Sequence, residues 1–290
     1  MKRFFPLAIV LVACSTGTDS KNDTDGDTDV TGDTADTTPQ DTDLPTSCTA
    51  DAPASGSILY GTVVDADSHG LGPSSARIQF CRSTTCVTAP CRGMGVWGFD
   101  ALTAGWGSFE AKPLDSDSNF ATLFLPLNLE EGAARPFSVE LPRLSPSVAL
   151  PASAAPLELT PGLFLTLGTG DLIPPPLESA VTSVSAVDGL DAAPQIDGVP
   201  GTVLAVYLFQ PFNHAAADET DTVPDADHGI PYEIFDAWGL GAGGGEVWIG
   251  DYATSSWIKV GDVIDGGTAG RLTTANNLPK LSTLVVVRKP

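Results

Sequence analysis

The sequence predicts an all-β protein: two antiparallel β-sandwich domains that follow a disordered acidic stalk. Three observations predict it. Short runs rich in β-branched and aromatic residues recur along the chain, separated by Gly, Pro, Asn and Asp, which is the pattern of short strands joined by turns. No segment beyond the leader shows the apolar spacing of an amphipathic helix. Residues 15–47 are almost free of large apolar side chains, so they cannot bury enough surface to offset the entropy of ordering.

The first element is the leader, residues 1–13. Lys2 and Arg3 precede an apolar run from Phe4 to Val12, and small residues follow before Cys14. A basic start, a brief apolar stretch and a small-residue cut site make a secretory signal. The run is nine residues long, too short to span a bilayer, which takes roughly 20. Leu11-Val12-Ala13-Cys14 resembles the lipobox of bacterial lipoproteins. The resemblance implies that Cys14 is acylated and becomes the new N-terminus. Each buried methylene adds about 0.8 kcal/mol of membrane affinity, so several chains on one sulfur would hold the protein firmly. Ser15 rather than aspartate after that cysteine resembles outer-membrane sorting patterns. The expected address is the cell envelope, as an outer-membrane lipoprotein of a Gram-negative bacterium, facing the periplasm or the surface.

The second element, residues 14–47, is the stalk. Asn22-Asp-Thr-Asp-Gly-Asp-Thr-Asp29 typifies it, and its like charges favour extension. An EF-hand loop needs Asp-x-Asp-x-Asp-Gly and a later glutamate. Here Gly26 falls between Asp25 and Asp27 and no glutamate follows, so no structured calcium site is expected. The whole chain has a formal net charge of -22. That surface repels nucleic acid and anionic headgroups alike, which leaves the lipid as the membrane attachment.

Five cysteines occur. With Cys14 lipidated, Cys48, Cys81, Cys86 and Cys91 remain, an even set with three possible pairings in an exported chain. Cys81 with Cys86 is favoured, because Arg82-Ser-Thr-Thr85 reads as the turn of a hairpin that places the two side by side. Cys48 with Cys91 would then pin the start of the domain. A zinc site is the rival reading, but Cys-x4-Cys-x4-Cys lacks the usual spacing and only His69 lies near.

The first sandwich is expected over residues 48–145. Ile58 to Val64 is rich in β-formers, Asp65 to Gly70 is a turn, and Arg77-Ile-Gln-Phe80 alternates. Trp97, Phe99, Trp106 and Phe109 follow among glycines, then strands at Phe120–Leu125 and Phe137–Leu141. Gly61-Thr-Val-Val-Asp65, Gly70-Leu-Gly with Ala76-Arg-Ile-Gln-Phe80, and Thr103-Ala-Gly-Trp-Gly-Ser-Phe109 together resemble a carboxypeptidase regulatory-like domain. The match runs from about Ser55 to Leu144. It implies a transthyretin-like β-sandwich without catalytic residues of its own. The insertion from Cys81 to Gly95 departs from that pattern.

Prolines and small residues then mark a linker or long edge connection over 146–160. The second sandwich is expected over 161–290. Thr202–Phe209 reads as a buried strand, Gly245–Gly250 and Ser256–Val260 as a hairpin pair, and Leu281–Val287 as the last strand. The Trp238, Trp248 and Trp257 region is loosely similar to β-sandwich modules of bacterial surface proteins.

Catalytic signatures are sparse. His-Glu-x-x-His and Gly-x-Ser-x-Gly are both absent. His69, His214 and His228 each read as loop histidines. Gly239-Leu-Gly-Ala-Gly-Gly244 formally fits a dinucleotide fingerprint, but a strand rather than a helix follows it, so it reads as a turn. Two acidic groups offer oxygen ligands: Asp115-Ser-Asp117-Ser-Asn119, and the better candidate Asp218, Asp221, Asp225 and Asp227 near His228. Solvated loops are the plainer reading, and no cofactor is expected beyond this calcium option. The tryptophans could stack on sugars, but alternation assigns Trp248 and Trp257 to the core. The expected function is therefore non-catalytic: a lipid-anchored envelope protein with a structural, adhesion or interaction role and another envelope protein or a glycan as partner. A carbohydrate-binding envelope module is the alternative, and an enzyme with an unrecognised site ranks third.

Overall fold

The computed structural model describes residues 56–290, apart from 73–74, 84, 90, 93–94, 115–118, 176–177, 193–195 and 219–222. Cys14, the stalk, Cys48 and Asp221 lie outside the described residues. The described chain is all-β, and no helix in it is long and apolar enough to cross a membrane.

The first nine strands are β1 (Ser57–Asp65), β2 (Ala76–Arg82), β3 (Thr85–Thr88), β4 (Cys91–Arg92), β5 (Val96–Leu102), β6 (Gly105–Pro113), β7 (Leu123–Leu129), β8 (Ala134–Pro136) and β9 (Val139–Leu141). They form two facing sheets. One runs β4-β5-β1-β8, with β9 also on β1, and the other runs β3-β2-β6-β7. Strands alternate their side chains between faces. Leu59, Ile78, Phe80, Trp97, Phe99, Phe109, Leu125 and Phe137 therefore meet in one core. Most pairs are antiparallel, but β8 and β9 run parallel to β1. Gly61 makes this possible: a Cβ there would collide with the Phe137 backbone.

The remaining strands are β10 (Val148–Ala149), β11 (Ala155–Thr160), β12 (Leu163–Leu167), β13 (Leu172–Ile173), β14 (Ser183–Asp188), β15 (Thr202–Gln210), β16 (His214–Ala216), β17 (Tyr232–Phe235), β18 (Gly245–Asp251), β19 (Ser256–Asp265), β20 (Arg271–Thr274), β21 (Lys280–Leu281) and β22 (Leu284–Arg288). A ten-stranded sheet runs β10-β14-β15-β22-β18-β19-β20-β17-β12-β11, and β13-β16-β21 form a small third layer. The proline-rich stretch 146–160 carries β10 and β11, the two edge strands of the large sheet. Pro156 sits in β11, where the missing N–H faces no further strand.

The described residues lie within one compact unit, and the parity of the central strands explains why. On β15 and β22, Val206, Leu208, Val285 and Val287 join the first core. Their neighbours Ala205, Tyr207, Phe209, Leu284 and Val286 join a second core with Val247, Ile249 and Ile234. Strands covered on both faces read as continuous apolar runs, as Thr202–Phe209 does. β6 and β7 are covered on both faces too. Phe109 and Leu125 pair on the inner face, while Glu110 and Phe124 pair on the outer one. Phe124 there stacks on Phe212 and Tyr252. Ser255 Oγ donates to the Cys81 carbonyl, and Thr283 Oγ1 donates to that of Phe124.

Candidate functional site

The residues singled out from sequence fall in separate places. Cys81 and Cys86 are disulfide-bonded across the β2–β3 hairpin, with Cα atoms 4.0 Å apart. Cys81 is fully buried, and Tyr252 Oη lies 3.5 Å from Cys86 Sγ. Cys91 belongs to β4, which pairs with β5, but its side chain, like Cys48, lies outside the described residues.

The acidic candidates serve their own loops. Asp218 Oδ1 accepts the Gly229 N–H at 3.0 Å. Asp225 Oδ1 accepts the N–H groups of Asp227 and His228, and its Oδ2 is 3.0 Å from His228 Nδ1. Those His228 bonds hold the Asp225 carboxyl below its ordinary range. Asp218 and Asp227 line a cavity of about 290 Å³ with Asp171, and His228 does not line it. Among the described residues, the potential metal ligands that gather in a group of three are Asp65, Asp67 and His69. That group is already engaged. Asp65 Oδ1 accepts the N–H groups of Asp67 and His69, and Asp67 Oδ2 is 2.6 Å from Arg143. Burial pushes the Asp65 carboxyl up, but those N–H groups and the His69 ring together hold it below its usual value. Of the other acidic segment, Asp115 and Asp117 lie outside the described residues.

The remaining histidine, His214, is buried, with Nδ1 3.1 Å from the Phe212 carbonyl. Burial pushes its pKa down, more than that bond and the Glu178 charge raise it. The glycine run 239–244 is a turn folded over Asp236, whose carboxylate accepts the Leu240 and Gly241 N–H groups. Trp248 and Trp257 are half-buried against the first core.

A concavity larger than the one beside Asp218 lies elsewhere. A groove of about 600 Å³ opens where β6 begins and β7 ends, beside β8 and the loop before β15. Trp106 of β6 stands in it, 43 % exposed. Arg135 of β8 reaches Asp197 in two-pronged fashion, Nη1 to Oδ2 at 2.5 Å and Nη2 to Oδ1 at 3.1 Å. Such fork-to-fork pairing fixes both side chains in one plane. Asp197 Oδ2 also accepts the Asn128 N–H, and Arg135 donates to the Asn128 carbonyl. Glu130 lines the same groove, and its carbonyl accepts a short hydrogen bond from Ser57 Oγ. Gly198 has a φ of +78° and lies so close to the indole that a Cβ would drive into the ring. The glycine thus lets a loop backbone brace Trp106.

Sequence reasoning placed Trp106 in the first sandwich, raised sugar stacking only for the tryptophans as a group, and did not reach Arg135 or Asp197. The two partners are 62 residues apart, and no motif spacing links them. The one available signal was an indole flanked by two glycines, Gly105-Trp106-Gly107, at the head of a strand.

Comparisons with known proteins add little. No family model matches the chain, and no curated protein matches it. Among solved structures, the chain is similar to a Bacteroides uniformis protein provisionally described as carbohydrate-binding. The two are 8 % identical, the match covers 80 % of this chain and 79 % of that one, and the TM-score is 0.22. At that score the likeness carries no argument.

Proposed function

We propose that this chain is a non-catalytic, lipid-anchored protein of the cell envelope, tethered through Cys14, that presents a recognition groove to another envelope component. The groove around Trp106 carries the reading. It is of ligand size, and its one guanidinium, Arg135, is paired with Asp197. That arrangement suits recognition. Acid–base catalysis needs a titratable group held ready for a substrate proton. His69 and His228 are engaged with Asp65 and Asp225 in their own loops, and His214 is buried against Phe212. The carboxypeptidase regulatory-like reading of residues 48–145 agrees in kind, since that family is a non-catalytic sandwich. The outer membrane of a Gram-negative cell is the proposed address, through the lipobox-like segment.

Fractionation tests the tether. The wild-type protein is expected in the membrane pellet and Cys14→Ser in the soluble fraction. Recovery of the variant in the pellet would overturn the lipid attachment. A carbohydrate-binding role is the second reading, favoured by one observation, the exposed indole of Trp106 in the groove.

A further inference from the structure

We infer that the Trp106 groove binds a neutral glycan, with one pyranose ring laid against the indole and its hydroxyls held by the polar groups of Arg135, Asp197 and Asn128. The inference deepens the recognition reading and rests on it. The argument begins with exposure. The other tryptophans are buried or half-buried: Trp97 in the first core, Trp248 and Trp257 packed against it, and Trp238 packed against the second core. Trp106 is left 43 % open on a concave wall. An open indole is a large apolar plane with little conformational freedom to lose on contact. The C–H face of a pyranose is an apolar plane of matching kind.

The walls supply the second requirement. A sugar's rim is a ring of hydroxyls that donate and accept at fixed spacing. A carboxylate offers several acceptor sites and a guanidinium five donors in a fork. Here both are locked before any ligand arrives, because Arg135 and Asp197 hold each other and Asp197 also takes the Asn128 N–H. Preorganised side chains lose less entropy on binding. Gly198 braces the indole from the same loop that carries Asp197, so platform and polar wall are mechanically joined.

Charge selects the class. The one guanidinium of the groove is already matched by Asp197, while Glu130 lines the groove and the chain as a whole carries -22. A uronate, sialate or phosphorylated sugar would find no free cation there and would meet repulsion. Neutral hexoses or pentoses fit the chemistry.

The test is titration of the full-length protein with neutral hexasaccharides of glucose, mannose, galactose and xylose, and with a hexagalacturonate, read by calorimetry. At least one neutral oligomer is expected to bind. Trp106→Ala should weaken it by ten-fold or more, and Trp106→Phe, which keeps an aromatic plane, should stay within a few-fold of wild type. Far-UV circular dichroism checks that the alanine variant remains folded; Asp197→Asn, a near-isosteric change beside the ring, gives a second variant expected to weaken binding. No binding by any neutral oligomer would overturn the inference. So would binding of the acidic oligomer alone, or unchanged affinity in Trp106→Ala. None of these outcomes alters the Cys14 fractionation result, so failure of the glycan assignment is distinguishable from failure of the tether.

Discussion

Replacing Lys280 with methionine probes how the layers are joined. Lys280 lies in β21 of the small sheet and Asp251 at the end of β18 in the large one. Both are buried, and Lys280 Nζ donates to Asp251 Oδ1 at 2.5 Å. Removing one partner of a buried ion pair leaves the other charge uncompensated, at a cost of about 3–5 kcal/mol. Asp251 keeps further donors, Thr254 Oγ1 at 2.5 Å and Thr254 N at 3.1 Å. The expected loss is therefore at the low end, about 3 kcal/mol. For a body of this size each kcal/mol moves Tm by about 2–4 °C, so the midpoint should fall by roughly 6–12 °C. Burial alone would raise the Asp251 carboxyl, but the bonds from Lys280 and Thr254 outweigh it and hold the carboxyl below the ordinary aspartate value. A depressed folded pKa gives stability that is present above the unfolded value and lost as pH falls through the folded one. The deficit of Lys280→Met should thus be largest near neutrality and narrow in acid. Urea unfolding followed by tryptophan fluorescence at pH 7 and at pH 3 measures both. A deficit under about 1 kcal/mol at pH 7, the scale of an exposed pair, or an equal deficit at both pH values, would refute the reasoning.

Two further outcomes follow from buried groups. Glu110 is buried, and its Oε2 has no hydrogen-bond partner among the described residues. Burial pushes its pKa up, against the opposing charges of Arg77 and Lys112. A raised folded pKa means that the protonated form is favoured and that stability is lost as pH rises past the unfolded value. Glu110→Gln should then gain about 1–3 kcal/mol at pH 7.5 and nothing near pH 4, read as a shift in the urea midpoint; a gain of equal size at both would count against it. Cys81 and Cys86 are expected to resist maleimide in the denatured, unreduced chain and to react after reduction, which peptide mass mapping resolves.

Much of the scaffold was legible in the sequence because it is local. Arg77-Ile-Gln-Phe alternates, and Ile78 and Phe80 do point into the first core. The Cys81–Cys86 bridge follows from a hairpin whose register sets those two residues opposite each other. The run Thr202–Phe209 shows burial on both faces. What it conceals is that alternate residues serve different cores, because an unbroken apolar run carries no parity signal. The parallel pairing of β8 and β9 with β1 was equally hidden, since each of those strands is only three residues long. The groove was beyond reach for a different reason. Trp106 comes from β6, Arg135 from β8 and Asp197 from the loop before β15, so only the tertiary fold assembles them.

Recognition at the Trp106 groove is most directly tested by the indole N–H resonances of the tryptophans in an ¹⁵N spectrum, with the Trp106 signal assigned by its loss in Trp106→Phe. Adding the neutral oligosaccharide should move the Trp106 signal in a saturable way and leave those of Trp97, Trp238, Trp248 and Trp257 in place. Saturable shifts at Trp238, Trp248 or Trp257 with Trp106 unmoved would put the ligand elsewhere and contradict the account.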